Sequence, residues 1–159
     1  MGPTVTIPRF TLPPLVARIG ARLPQWPHAV ALAAALEAAR VGGVLPAAAL
    51  AALEGRTFRV TALDAGGAAD FRFANGRFRP LLRPAPAPDL HLSANLSVFL
   101  ELLARQEDPD TLFFHRRLAI EGDTELGLAV KNMLDAVDLS SLSRLPMPAW
   151  LRRRLGLAA

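Results

Sequence analysis

The run Thr111-Leu112-Phe113-Phe114-His115-Arg116-Arg117-Leu118-Ala119-Ile120-Glu121, closed by Gly122 and followed by Asp123-Thr124-Glu125-Leu126, decides how this sequence folds. Its alternation puts Leu112, Phe114, Arg116, Leu118 and Ile120 on one side and Phe113, His115, Arg117 and Ala119 on the other, so the spacing predicts a strand over 111–121. Gly122 ends that strand. Asp123 is suited to accept the free N–H groups of a following helix, and Glu121, Asp123 and Glu125 place negative charge at its positive end. That helix shows Leu126, Val130, Met133, Leu134 and Val137 on one face, the spacing needed to pack on a sheet, with Lys131 and Asp135 as an exposed pair four residues apart.

Upstream, Ser93 or Asn95 is placed to cap a helix whose Leu96, Phe99, Leu100 and Leu103 form an apolar stripe. Asp108-Pro109-Asp110 after it reads as a turn. Leu90 and Leu92 flank His91 in a short strand behind the stiff connector Pro84 to Pro88. Further back, Phe58, Val60 and Ala62 alternate with Thr57, Arg59 and Thr61, predicting a strand over 56–64. Phe71 and Phe73 lead through Asn75-Gly76, a strong hairpin signal, to a partner strand over 77–82. Pro27 to Arg40 is an alanine- and leucine-rich helix ended by Val41-Gly42-Gly43, and Pro46 opens a second short helix to Leu53.

These elements predict an α+β fold: a mostly antiparallel sheet covered on one face by helices, with helical N- and C-terminal extensions. Residues 1–27 form a proline-containing amphipathic arm, 28–140 the main domain, and 141–159 a basic C-terminal tail or helix. In the arm, Leu12, Leu15, Val16, Ile19 and Leu23 recur at helical spacing beside Arg18 and Arg22.

At 159 residues the chain is long enough to bury roughly 70% of the surface it exposes when unfolded. Cysteine is absent, which removes disulfides, thiolate metal sites and thiol catalysis. Tyrosine is absent too, and His28, His91 and His115 are the only histidines. The sequence shows no Ser/His/Asp set, phosphate-binding glycine loop or paired histidine spacing, so the expectation is a protein that is not an enzyme and holds no metal or cofactor. No segment reads as a secretory signal or membrane span. The expected compartment is the cytoplasm, with peripheral contact to the inner membrane.

Eighteen basic residues, all arginine except Lys131, face 14 acidic ones. Residues 139–159 carry four arginines and no acid. In that tail Trp150, Leu151, Arg152, Arg153 and Arg154 combine ring, alkyl and guanidinium groups as an interfacial helix does, which marks them for contact with an anionic membrane surface. The Phe/Arg alternation over Phe71 to Arg79 is open to a different reading, an RNA-binding module whose rings stack bases. The same rings are needed for a core, so nucleic acid is not the expected partner.

The apolar residues exceed what a thin layer of sheet and helix needs. Ordinary core packing is one account of Leu96, Phe99, Leu100, Leu103, Phe114, Leu118, Ile120, Leu126, Val130, Met133, Leu134 and Val137; a groove for a long apolar ligand is the other.

Ser93-Ala94-Asn95, the run from Asp108-Pro109-Asp110 through Gly122-Asp123 to Leu126-Gly127-Leu128, and Val130-Lys131-Asn132 with Asp135-Ala136 resemble bacterial ubiquinone biosynthesis accessory factors of the sterol carrier protein 2 (SCP2) domain family. The likeness covers roughly residues 40–140, and Arg116-Arg117 stands where carrier domains more often have Gly-Lys. The resemblance implies a non-catalytic lipid-binding protein that supports oxygen-independent ubiquinone synthesis. It would hold a polyprenyl quinone precursor or a phospholipid between sheet and helices and present it to hydroxylases such as UbiU-UbiV. On that reading the twelve apolar residues above line the lipid site.

Overall fold

The computed structural model describes residues 6, 8–103, 106–137 and 148–154. Helix α1 (Pro14–Arg22) starts on a proline, whose fixed φ suits a first turn, and stops where Leu23 turns extended ahead of Pro24. Helix α2 (Gln25–Val41) ends at Gly42, and Gly43 reverses the chain with φ 74°. Pro46 precedes α3 (Ala47–Leu50), which tightens into a 3-10 turn over Ala51–Leu53.

Strands β1 (Thr57–Ala62), β2 (Gly67–Ala74) and β3 (Arg77–Pro80) form an antiparallel meander. Asn75 and Gly76 take φ 54° and 70°, the two positive values that a type I′ turn requires. Their N–H groups donate to the Glu54 carboxylate at 2.6 and 3.2 Å. Residues 81–89 then carry the chain back so that β4 (Leu90–Ala94) lies parallel to β1, and β5 (Leu118–Gly122) runs antiparallel to β4. The sheet order is β3-β2-β1-β4-β5. It is therefore mostly antiparallel, as the sequence predicts, with one parallel pair at its centre.

Strand periodicity sorts the two faces. Phe58, Phe71, Phe73, Phe78, Leu90, Leu92, Ala94 and Leu118 point toward the helices and enter one core with Ala33, Val44, Leu50 and Leu53. Phe58 and Phe71 stack at 5.1 Å, and Phe73 meets Phe78 edge-on at 4.8 Å, contacts each worth about 0.5–1.5 kcal/mol beyond burial. With all three hairpin rings buried, Phe71, Phe73 and Phe78 offer no stacking surface to a base, which overturns the platform that an RNA-binding module needs.

The opposite face is polar. Arg59 meets Asp70 in a two-armed ion pair, both arms 2.8 Å, and the same two side chains hold the backbone of Ala85, which lays the proline segment across that face. Burial pushes the Asp70 carboxyl up, but the Arg59 hydrogen bonds and the Ala85 N–H outweigh it and leave it below its ordinary range.

The largest departure from the sequence reading lies in residues 111–121, which are not one strand. Helix α5 (Pro109–Phe114) occupies the first half. Asp108 is its cap, accepting from the Thr111 N–H at 3.0 Å and the Thr111 hydroxyl at 2.6 Å, and Pro109 fills its first position. This capping set overrides the alternation: Leu112 turns fully inward while Phe113 and Phe114 face solvent. The turn over His115 to Arg117, with Arg116 at φ 57°, then feeds β5.

Helix α6 (Thr124–Asp135) follows as expected, with Asp123 accepting the Leu126 N–H at 2.9 Å. Lys131 pairs with Asp110 of α5 rather than with Asp135, because α5 brings a carboxylate beside it. Helix α7 (Ala149–Arg154) carries the basic segment.

Candidate functional site

Helix α4 (Leu96–Leu103) decides what the apolar layer offers to a ligand. A helix on a sheet ordinarily turns its leucines inward. Here the fully buried positions are Ser97, Val98, Glu101 and Leu102, and the expected stripe is only partly covered, with Phe99 resting against the core. Leu96 is 36% and Leu103 45% exposed, and Phe99 and Leu100 are half-buried.

The reason is electrostatic. Glu101 is fully buried and accepts both arms of the Arg117 guanidinium, Nη1 to Oε2 at 2.8 Å and Nη2 to Oε1 at 2.7 Å. The Arg117 hydrogen bonds hold the Glu101 carboxyl below its ordinary range against the opposing effect of burial. Breaking such a pair strands a charge in the core at a cost of about 3–5 kcal/mol, so the pair fixes the rotation of α4 and keeps its apolar stripe outward. A different carboxylate starts the helix: Asp64 Oδ1 accepts the Leu96 N–H at 2.8 Å, and its Oδ2 accepts the Leu12 N–H at 2.9 Å. Neither Ser93 nor Asn95 supplies that bond.

The remaining expected lining residues separate into groups. Leu118, Leu126, Val130, Met133 and Val137 belong to the closed core, with Ile120 and Leu134 packed against it. Phe114 is 78% exposed on α5 and lies outside any inner surface, a direct result of the helix that replaced the strand. Trp150 is exposed in α7, whereas the side chains of Leu151, Arg152 and Arg154 lie outside the described residues.

Two clefts open on this side of the molecule. One of about 180 Å³ lies between α4 and α6, bordered by Leu102, Pro109 and Leu134 with Glu107, Asp108 and Asp135. The larger, about 470 Å³, runs between the N-terminal segment at Arg9 to Thr11, Leu63, the first turn of α4 and the corner Arg116-Arg117. Sequence reasoning missed this groove because its walls come from four separated segments, none of which carries a periodic signal.

The structure also gathers Ser93, His91 and Glu121 on the polar face, which the sequence reading did not join. His91 Nε2 lies 3.1 Å from Ser93 Oγ and 2.9 Å from Thr61 Oγ1, and Nδ1 lies 3.8 Å from Glu121 Oε2. Alternation along β4 and its register with β5 account for the grouping. Since β4 is bonded to strands on both sides, its backbone N–H groups are engaged in ladders and are not free to stabilise an oxyanion. Among the described residues there is no group of three or more potential metal ligands, and no helix is long and apolar enough to cross a membrane.

Comparison with known proteins fits this architecture. The model of the SCP-2 sterol transfer family matches residues 44–135. The ubiquinone biosynthesis accessory factor UbiT of Escherichia coli strain K12 is 55% identical over 67 residues, 42% of this chain and 36% of that protein, so the match spans about a third of the relative's length. Among solved structures, the UbiJ-SCP2 ubiquinone synthesis protein is similar at a TM-score of 0.54 with 20% identity, covering 69% of this chain and 97% of that one.

Proposed function

The chain belongs to the SCP-2 sterol transfer family, and on that premise we propose that it is a non-catalytic lipid-binding accessory factor of ubiquinone biosynthesis. It shields a polyprenylated quinone precursor or a membrane phospholipid and works without oxygen, presenting the bound head group to hydroxylases such as UbiU-UbiV. The observation that carries the lipid reading is the outward stripe of α4, Leu96, Phe99, Leu100 and Leu103, held at the surface beside the core by the buried Glu101–Arg117 pair. Covering such a stripe with a hydrocarbon tail gains about 25 cal/mol per Å² of apolar surface removed from water. The similarity to UbiT over 67 residues supports the ubiquinone assignment.

The tail of the ligand lies along α4 and the neighbouring surface of Ile120 and Leu134, while Leu118, Leu126, Val130, Met133 and Val137 form the floor that supports it. Work at the inner membrane, from the cytoplasmic side, suits the basic ends, and Trp150 with Arg152, Arg153 and Arg154 supplies the contact to anionic lipid.

Mass spectrometry of organic extracts from the purified protein tests this directly. A prenylated aromatic or phospholipid should be recovered from the parent and reduced in Leu96→Ala/Leu103→Ala, with the melting temperature close to the parent's because both side chains are exposed. Extracts free of lipid, or equal recovery from parent and variant, would reject the reading.

A further inference from the structure

We propose that residues 8–12 are a strap that opens and closes the groove of about 470 Å³, and that the buried carboxylate of Asp64 is its latch. Arg9, Phe10 and Thr11 border that groove along the N-terminal segment, and Leu63, Val98 and the Arg116 corner border it from the body of the domain. The strap has no helix or strand of its own, so it stays in place only through the ties it makes to that body.

Those ties are few and unequal. Downstream, α1 is seated on the turn after β1, with Gly20 against the backbone of Ala65. Upstream, Arg9 reaches Glu107 at 3.8 Å with 67% of its side chain exposed, so water and salt weaken that pair. Between them the Leu12 N–H donates to Asp64 Oδ2 at 2.9 Å. Seat and latch therefore lie on neighbouring residues of one turn.

Asp64 differs from the other buried carboxylates. Asp70 and Glu101 are each held by an arginine, whereas Asp64 is held by two backbone N–H groups, that of Leu12 and that of Leu96 at the start of α4. No cation pairs with it among the described residues. Lifting the strap breaks the first bond, admits water to that oxygen and leaves the Leu96 bond in place, so no charge is stranded in the core. Opening thus needs the loss of one charge-assisted hydrogen bond and not the unfolding of α4.

The chain has no cysteine, so a single introduced thiol reports the opening. Ser97→Cys puts it on the groove wall at a position 2% exposed, and Ala33→Cys puts it in the core at the same exposure as a control. Alkylation by iodoacetamide is followed in the full chain. Leu12→Pro deletes the donor N–H and leaves Asp64 and its bond to Leu96 untouched; Leu12→Ala trims the side chain and keeps the donor. Leu12→Pro is expected to speed labelling of Ser97→Cys about ten- to hundredfold, the worth of one hydrogen bond to a charged group, with Leu12→Ala within about threefold of the parent. Labelling of Ala33→Cys should not change.

Equal labelling of Ser97→Cys in Leu12→Pro and Leu12→Ala would overturn the latch. Parallel acceleration at both thiols in Leu12→Pro would show that the whole domain opens and would overturn the strap. No lipid enters the measurement, so extracts free of lipid would sink the proposed function and leave the strap standing.

Discussion

Glu101 of α4 and Arg117 of the corner before β5 form a two-armed ion pair, at 2.8 and 2.7 Å, in which the carboxylate has no exposed surface. The pair joins segments 16 residues apart in sequence and turns α4 so that Glu101 points in beside Leu102 while Leu96 and Leu103 point out. A buried pair of this kind is costly to break and cheap to replace whole.

Arg117→Ala is therefore expected to cost about 3–5 kcal/mol, since Glu101 is left charged and unpaired in the core. The double change Glu101→Leu/Arg117→Met should restore stability to within about 1–2 kcal/mol of the parent or exceed it. Urea unfolding midpoints check both values. A single-variant loss no larger than the double's would show that the pair is solvated rather than buried.

Acid stability follows from the same carboxylates. Glu101, held low by Arg117, and Asp70, raised by burial but lowered further by Arg59 and Ala85, both have folded pKa values below their unfolded ones. As pH falls, the unfolded chain takes up protons first, so the stabilisation present at neutral pH persists down to the ordinary carboxylate value of about 4 and is lost below it. The melting temperature should stay level from neutral pH to about 5 and decline beneath about 4. Glu101→Gln and Asp70→Asn should each flatten that acid limb. An unchanged limb in both variants would sink this account.

Leu112 and Phe114, two residues apart, separate the helix over 109–114 from the strand that the sequence predicts over 111–121. On a strand they share a face; in α5 Leu112 is fully buried and Phe114 exposed. Leu112→Ala should cost about 2–5 kcal/mol, the usual range for a large side chain truncated in a packed core. Phe114→Ala should lie within about 0.5 kcal/mol of the parent. Comparable losses at the two positions would restore the strand.

That contrast also shows what was legible in the sequence. The hairpin around Asn75-Gly76, the helix capped by Asp123 and the strands built on Phe58 and Phe71 were readable, because turn chemistry, capping and periodicity agree there. At Thr111 they conflict. Asp108-Pro109 is a helix start, and two nonlocal facts, the Lys131 pair to Asp110 and the pull of Glu101 on Arg117, support what the local alternation hides. The groove lay further out of reach, since Arg9, Leu63, Ser97 and Arg116 meet only through the sheet topology. The inward Glu101 was equally hidden: on a stripe of leucines, a lone acid reads as solvent-facing until its arginine is placed.

Gly20 shows how α1 is seated, and the seat is testable. A Cβ added there would lie 1.9 Å from the carbonyl oxygen of Ala65, and one on Gly66 would lie 2.0 Å from that of Ala17. The helix and the β1–β2 turn thus meet backbone to backbone, a contact with no room for one methyl group. Gly20→Ala must lift α1 from the turn, at a cost of about 1–3 kcal/mol for an overpacked contact. Trypsin should then cut faster after Arg18 and Arg22, while hydrogen exchange in β1 and β4 stays slow because the sheet core does not depend on α1. Gly55→Ala is the control. Its φ of 77° makes the change strained, but nothing lies within 4 Å of the added carbon, so it should cost about 1 kcal/mol without exposing α1 to the protease. If both variants leave cleavage at Arg18 and Arg22 unchanged, α1 is not held by this contact.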